Sequence, residues 1–357
     1  MDSATIQQDV VKDYYGETLS SSDDLKTDAC STSSRPDAHV REALSLVHDD
    51  VSSRYYGCGL AIPACLDGLK VLDLGSGAGR DVFALAKLVG PDGHVTGVDM
   101  TPEQLSVARG HEAYHAEAFG YDAPNTRFLE GYLERLDELD LEEGGFDLII
   151  SNCVFNLCTD KPGVFRSAYR LLKPGGELYF SDVYADRRMP QHLVNDPVLY
   201  GECLSGALYW YDYVAMAKAA GFVDPRIVDH RPLAILNSSL QAKIDPIRFA
   251  SVTARLIKLD GLDPACEDYG QAVMYKGGVP GMERVFKLDA DHEIEIGRVF
   301  PVCSNTRDML MQTRFASYFD LVGDGATHLG PFPGCIAPDV FAPVDAPEAP
   351  SFGGSCC

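Results

Sequence analysis

The chain contains no C-x-x-C pair, although 11 of its 357 residues are cysteine. That absence argues against a structural zinc site built from thiolates. Basic residues are scarce: 30 Lys and Arg stand against 53 Asp and Glu, for a formal net charge of −23. Nucleic acid and anionic membrane surfaces both require a basic face, so neither is expected as a partner. No apolar run approaches the length of a membrane span. Met1 to Tyr15 holds no positive region followed by an apolar core, so no secretory signal is read there and a cytoplasmic protein is expected. In a reducing compartment the cysteines are not a disulfide framework. They read as reactive or ligating thiols. Internal repeats are lacking too.

What is present suits an ordinary folded enzyme. Hydrophobic residues make up 46% of the chain, enough for a core, and the length allows two domains. One stretch organises the rest. Lys70-Val71-Leu72-Asp73-Leu74 is an apolar run of strand length, Gly75-Ser76-Gly77-Ala78-Gly79 a glycine turn, and Val82 to Val89 a helix. Strand, glycine turn and helix open a βαβ unit. The dinucleotide fingerprint G-x-G-x-x-G fails, because Arg80 stands where the third glycine belongs. A ligand without phosphates is therefore favoured. Glycine in such a turn lets backbone approach a ligand closely. Asp99 ends the next strand, His94 to Asp99, roughly 20 residues past the turn, where a carboxylate can accept hydrogen bonds from ribose hydroxyls.

Residues 1–36 are polar and turn-rich and form an extension that includes Cys30. Pro36 and Asp37 start a helix whose apolar face carries Val40, Ala43, Leu44, Val47 and Val51. It leads into Tyr55-Tyr56-Gly57-Cys58-Gly59, either a loop against a ligand or a glycine-capped helix end. Thr101 caps a helix with Pro102 at its first position, running to about Gly120. Inside it stands His111-Glu112-Ala113-Tyr114-His115, the letter pattern of a zinc protease. With no third ligand nearby, these read as two surface histidines, not metal ligands. Asn125 to Glu134 is a third strand and its exit loop, and Phe146 to Cys153 a fourth strand with a polar end. Ligands of open parallel sheets bind beyond the carboxyl ends of the strands, so Cys153 is placed to face a substrate. Glu177 to Tyr184 is a fifth strand, Tyr213 to Ala220 a helix and Asp224 to His230 a strand. Between them lies a second glycine-flanked cysteine, in Gly201-Glu202-Cys203-Leu204-Ser205-Gly206. Strands are expected at 249–257, 271–275, 286–288 and 293–296.

These segments together resemble the arsenite S-adenosylmethionine (SAM) methyltransferases. The resemblance rests on Tyr-Tyr-Gly-Cys-Gly at 55–59, Asp-Leu-Gly-Ser-Gly-Ala-Gly-Arg-Asp at 73–81, Val-Thr-Gly-Val-Asp-Met at 95–100, Ser-Asn-Cys-Val at 151–154, the run at 175–184 and Gly-Glu-Cys-Leu at 201–204. It extends from residue 11 to about 260, and more loosely beyond. It implies an α/β fold: a Rossmann-like methyltransferase domain (37–235), a smaller C-terminal α+β domain (236–335) and a Pro/Ala-rich tail (336–357) ending in Cys356-Cys357. It further implies that Cys58, Cys153 and Cys203 hold arsenic and that Cys30 is the redox partner of Cys58. Tyr56, Gly75, Ser76, Gly77, Asp99, Met100, Gln104, Leu133, Glu134 and Asn152 fall where that family contacts SAM. The implied substrate is a small arsenical and the implied reductant is glutathione or thioredoxin. The protein is expected to act as a monomer. Two other readings are a carbon or nitrogen methyltransferase of the same fold and an arsenic-binding thiol protein without activity.

Overall fold

The computed structural model describes residues 36–333, apart from positions 56, 58, 59, 195, 202 and 236. Cys30, Tyr56, Cys58 and the Cys356-Cys357 tail therefore lie outside the described residues.

The apolar helix face expected after Pro36 is present, with Val40, Ala43, Val47 and Val51 buried. The helix itself is split into α1 (Ala38–Ser45) and α2 (Asp49–Ser52). The break falls at His48, whose side chain accepts from the Asp50 amide and so caps the second piece. Then follow β1 (Lys70–Leu74), α3 (Arg80–Val89), β2 (His94–Asp99), α4 (Pro102–Gly110), α5 (Glu112–Phe119), β3 (Thr126–Glu130), β4 (Phe146–Asn152), α6 (Lys161–Leu171) and β5 (Leu172–Ala185). Strands β1 to β5 pair in parallel, in the order β3-β2-β1-β4-β5. Their side chains alternate between two cores. Val71, Leu148 and Ile150 pack under α1, α3 and α4 with Phe83, Leu85 and Leu105. Leu72, Leu74 and Ile149 pack on the other face with Phe165, Phe180 and Tyr213. A sheet buried on both faces explains why β1 reads as an unbroken apolar run.

After β5 come α7 (Gln191–Val194), α8 (Pro197–Gly201), β6 (Leu208–Tyr209), α9 (Trp210–Ala220), β7 (Arg226–Pro232), α10 (Ser238–Ile244) and β8 (Phe249–Ile257). Here the structure departs from the expected boundary at 235. Strand β8 pairs antiparallel with both β5 and β7, and so completes the first sheet. Nothing in its sequence announces this, because an apolar strand carries no mark of which sheet it joins.

The smaller C-terminal unit follows: β9 (Glu267–Asp268), β10 (Ala272–Tyr275), β11 (Val285–Lys287), β12 (Glu293–Glu295), β13 (Val299–Pro301), α11 (Ser304–Met311), β14 (Phe319–Val322) and β15 (Gly330–Pro331). Strand β10 lies between β13 and β14, and Tyr275, Phe286, Phe315 and Phe319 fill its core. Two buried ionic clusters tie it to the first sheet. Glu177 of β5 meets Arg255 of β8 at 3.2 Å and Arg314 at 2.8 Å. Arg226 of β7 meets Asp224 at 2.7 Å and Asp289 at 3.2 Å. Among the described residues no helix is long and apolar enough to cross a membrane.

Candidate active site

A cavity of about 140 Å³ opens at the carboxyl ends of β1, β2 and β4. Its floor is the glycine turn. Gly75, Gly77 and Gly79 have φ of +80°, +53° and +91°, values that L side chains rarely adopt. A Cβ on Gly75 would also run into the methyl groups of Val154. Gly75, Ser76, Gly77, Asp99 and Met100 line the cavity, as do Gln104, Leu133, Glu134, Asn152 and Cys153. The structure thus brings together ten of the fourteen expected site residues. Tyr56, Cys58 and Cys30 fall outside the described residues, and Cys203 sits behind the wall.

Asp99 anchors the floor. Its Oδ2 accepts the Gly77 amide and its Oδ1 the Thr101 amide, both at 2.8 Å. Burial raises its pKa, against the pull of these backbone donors. Asp73 and Asp81, both buried, stand beside it. Burial, then the charges of Asp81 and Asp99, push Asp73 well above the usual carboxylate range. The Ser76 hydroxyl is buried without a hydrogen-bond partner among the described residues. An acidic cluster, an unpartnered hydroxyl and a floor without side chains fit a compact ligand carrying positive charge and hydroxyls.

Opposite the floor, Asn152 Nδ2 donates to Tyr55 Oη at 2.6 Å and to Asp81 Oδ2 at 3.3 Å. The Arg80 guanidinium covers the Tyr55 ring at 3.6 Å. Tyr55, Asp73 and Asp81 also line the cavity and were missed by sequence reasoning. Their signal was their position, one beside Tyr56 and two flanking the glycine turn. Glu134 Oε1 accepts from the Thr159 amide at 2.7 Å and hydroxyl at 2.9 Å, which fixes the 133–138 turn against the wall.

Cys153 and Cys203 share an unusual backbone: both have φ of +59°. Left-handed non-glycine residues cost of order 1–3 kcal/mol each and persist where surroundings over-determine them. Here the surroundings are Asn156 and Asp182, both buried. Asp182 Oδ1 accepts from Asn156 Nδ2 at 2.7 Å, and Oδ2 from the Asn156 amide at 3.1 Å. The same Nδ2 donates to Val183 O at 2.6 Å, and Asn156 Oδ1 accepts from the Leu208 amide at 3.3 Å. Tyr200 Oη reaches Leu157 O at 2.7 Å. One cysteine turn is thereby fastened to the other, and Cys203 Sγ lies 3.4 Å from Cys153 O. Burial raises the Asp182 carboxyl to about 7, although the Val183 and Asn156 amides and Lys161 pull it down. Burial also pushes the neighbouring Cys158 thiol up, so it stays protonated. Cys153 is disulfide-bonded in this structure.

The histidine pair of the zinc-protease pattern is taken apart. His111 sits at the joint between α4 and α5, so the string is not on one helix. Contrary to the expectation of a surface residue, His115 is buried and stacks on Phe83, with ring centroids 3.7 Å apart. Burial lowers its pKa to about 4.

Comparison with known proteins agrees with this geometry. A methyltransferase domain model matches residues 66–221, and an arsenite methyltransferase C-terminal domain model matches 269–345. An arsenite methyltransferase of Aquipseudomonas alcaligenes is 56% identical over 97% of this chain and 99% of its own length. One from Homo sapiens is 45% identical over 88% of this chain and 84% of its own. The crystal structure of an arsenic (III) S-adenosylmethionine methyltransferase from Chlamydomonas reinhardtii superposes with a TM-score of 0.81 at 46% identity. It covers 84% of this chain and all of that one. The chain belongs to the arsenite methyltransferase family.

Proposed function

We propose that this protein methylates trivalent arsenic held by thiolates at the mouth of the cavity, with SAM as methyl donor. The observation that carries the reading is the pairing of two left-handed cysteines, Cys153 and Cys203, one of which lines the cavity. As(III) is soft and prefers thiolate sulfur. Cys153 and Cys203 supply two positions, and Cys58 the third. Three thiolates leave the arsenic lone pair free, and that lone pair is the nucleophile, so the protein needs no general base. SAM supplies an electrophilic methyl group on a sulfonium. Asp99, fixed by the Gly77 and Thr101 amides, accepts ribose hydroxyls, and the bare floor at Gly75 and Gly77 admits the amino-acid end. Gln104, Leu133, Glu134 and Asn152 complete the pocket, with Tyr56 toward the sulfonium. The residues therefore act mainly by positioning.

Methylation formally oxidises arsenic by two electrons, from As(III) to As(V). A thiol pair, Cys30 with Cys58, returns them by closing to a disulfide, which an external thiol such as glutathione or thioredoxin reopens. A disulfide at Cys153 also requires reduction before arsenic can bind, so excess thiol belongs in the reaction. A cytoplasmic, monomeric enzyme fits these needs. The test is incubation with SAM, arsenite and thiol, followed by separation of arsenic species. Cys153→Ser and Cys203→Ser should abolish methylation of arsenite and of methylarsenite. Cys58→Ser should spare methylarsenite, which has only two positions for thiolates. Equal loss on both substrates in Cys58→Ser would remove Cys58 from the ligand set.

A further inference from the structure

His48 and Asp50 stand together at the start of α2 and His111 at the distant joint between α4 and α5, yet each offers one ligand atom within 4.8 Å of the others. Asp50 Oδ2 stands 3.6 Å from His111 Nε2 and 3.8 Å from His48 Nδ1. The protonation pattern around them is informative. His111 Nδ1 lies 2.9 Å from the Val107 carbonyl, which can only accept, so Nδ1 carries the proton. In the neutral ring Nε2 then bears a lone pair, and it faces a carboxylate. His48 Nδ1 accepts from the Asp50 amide at 3.1 Å, so it is unprotonated, with its lone pair held by that amide beside the carboxylate. With the His111 ring neutral, three acceptor atoms converge, an arrangement that a cation between them relieves. Backbone carbonyls that fix a histidine tautomer in this way are a regular feature of metal-ligating imidazoles.

The arrangement is also braced from beneath. Buried His115 holds the backbones of both histidines. Its Nδ1 donates to His111 O at 2.8 Å, and its Nε2 accepts the His48 amide at 3.2 Å. Both bonds require a neutral ring of one tautomer. The site is partly open: the side chains of His48, Asp50 and His111 are 33%, 71% and 20% exposed.

We propose that His48, Asp50 and His111 form a binding site for a divalent transition metal of the zinc class, unrelated to the arsenic thiols. Two imidazoles and one carboxylate suit Zn²⁺, Co²⁺, Ni²⁺ or Cu²⁺, whereas Mg²⁺ and Ca²⁺ prefer oxygen alone. Tetrahedral ligands about 2.0–2.1 Å from zinc stand about 3.3 Å apart, and Asp50 Oδ2 is already 3.6 and 3.8 Å from the two ring nitrogens, so small side-chain rotations close the shell. To bind, His48 Nδ1 exchanges its bond from the Asp50 amide for the metal, at a rim where water can take that amide. Water fills the fourth position. The His-Glu-x-x-His string is thus no metal motif, but its first histidine joins a different trio. Binding would clip α2 to the α4–α5 joint, and α2 leads directly into Tyr55 on the cavity wall.

The test uses full-length protein whose accessible thiols have been alkylated, so that cysteine cannot compete. It is titrated with Zn²⁺, and the loaded sample is examined by X-ray absorption. The expected result is one saturable equivalent with a shell of nitrogen and oxygen near 2.0 Å and no sulfur near 2.3 Å. His111→Gln and Asp50→Asn should each weaken binding about tenfold or more. Circular dichroism melts in the absence of metal check that both variants remain folded. Absence of saturable binding, a sulfur shell, or unchanged affinity in both variants would overturn the assignment.

Discussion

Replacing Asn156 by alanine tests the coupling between the two cysteine turns. The substitution removes three hydrogen bonds: to Asp182 Oδ1, to Val183 O and from the Leu208 amide. The first involves a carboxylate and is worth about 1.5–3 kcal/mol, and the two neutral bonds about 1 kcal/mol each. The sum, about 3–5 kcal/mol, is partly offset if Cys153 and Cys203 relax from their left-handed backbone, which costs of order 1–3 kcal/mol each. A loss of about 3–5 kcal/mol is expected in equilibrium urea unfolding if both turns keep their backbone, and a smaller one the more they relax. The functional effect should be selective. SAM affinity should hold, because the floor at Gly75, Gly77 and Asp99 belongs to β1 and β2. Arsenite methylation should fall about a hundredfold, the scale of misplacing reacting groups by an ångström. A variant that methylates arsenite at the wild-type rate under folding conditions would refute the coupling.

Three other outcomes follow from single sites. Asp99→Ala should weaken SAM binding by about 1.5–3 kcal/mol in calorimetry while As(III) still binds without SAM; unchanged SAM affinity would remove Asp99 from the ribose site. Gly75→Ala forces a Cβ at φ +80° against Val154 and should lower stability by about 1–3 kcal/mol, with SAM binding lost more steeply than the melt predicts. Asp289 predicts an acid limb. Burial pushes its carboxyl up, but the hydrogen bond and charge of His292 and the charge of Arg226 outweigh burial, and it titrates at about 2. Its unfolded value is near 3.9. A folded value below the unfolded one means the contribution is complete above about pH 4 and is lost as pH falls toward 2. It amounts to about 2–3 kcal/mol. Asp289→Asn should lose that much stability at neutral pH and show a shallower fall between pH 4 and pH 2.

Local chemistry made much of the fold legible. Three positive-φ glycines within five residues announced a turn that only glycine adopts, and Asp99 was found from its place at a strand end. Long-range choices were hidden. Strand β8 carries apolar residues suited to either unit, and only its antiparallel register with β5 and β7 assigns it to the first sheet. The helix predicted through residue 120 breaks at Gly110 and His111, because the imidazole of His111 turns back onto Val107 O and caps the first piece. Burial of His115 could not be read from an alternating polar string. It depends on Phe83, a helix away in sequence, offering a flat face. Asn156 and Asp182 were invisible for a similar reason. Each is unremarkable alone, and the pair acquires meaning only where the turn after β4 folds back against β5.

Ligand charge is where the sequence argument and the structural one meet independently. The glycine spacing disfavours a pyrophosphate by geometry, since Arg80 occupies the third glycine position. The folded turn disfavours it again by electrostatics. Three carboxylates, Asp73, Asp81 and Asp99, gather around the floor, and each raises the cost of ionising its neighbours or is itself raised by burial. Phosphate groups brought to that floor would add like charge to a cluster already strained by it. A sulfonium and an ammonium do the opposite: each stabilises the ionised carboxylates, so the carboxyl pKa values should fall when SAM binds. Binding should therefore release protons from the site wherever Asp73 is still protonated in the free protein. Calorimetry of SAM binding in buffers of different ionisation enthalpy measures that release directly. Proton release that vanishes in Asp73→Asn would tie the cluster to cation recognition, whereas release unchanged in that variant would assign the protons elsewhere and leave Asp73 a purely structural role.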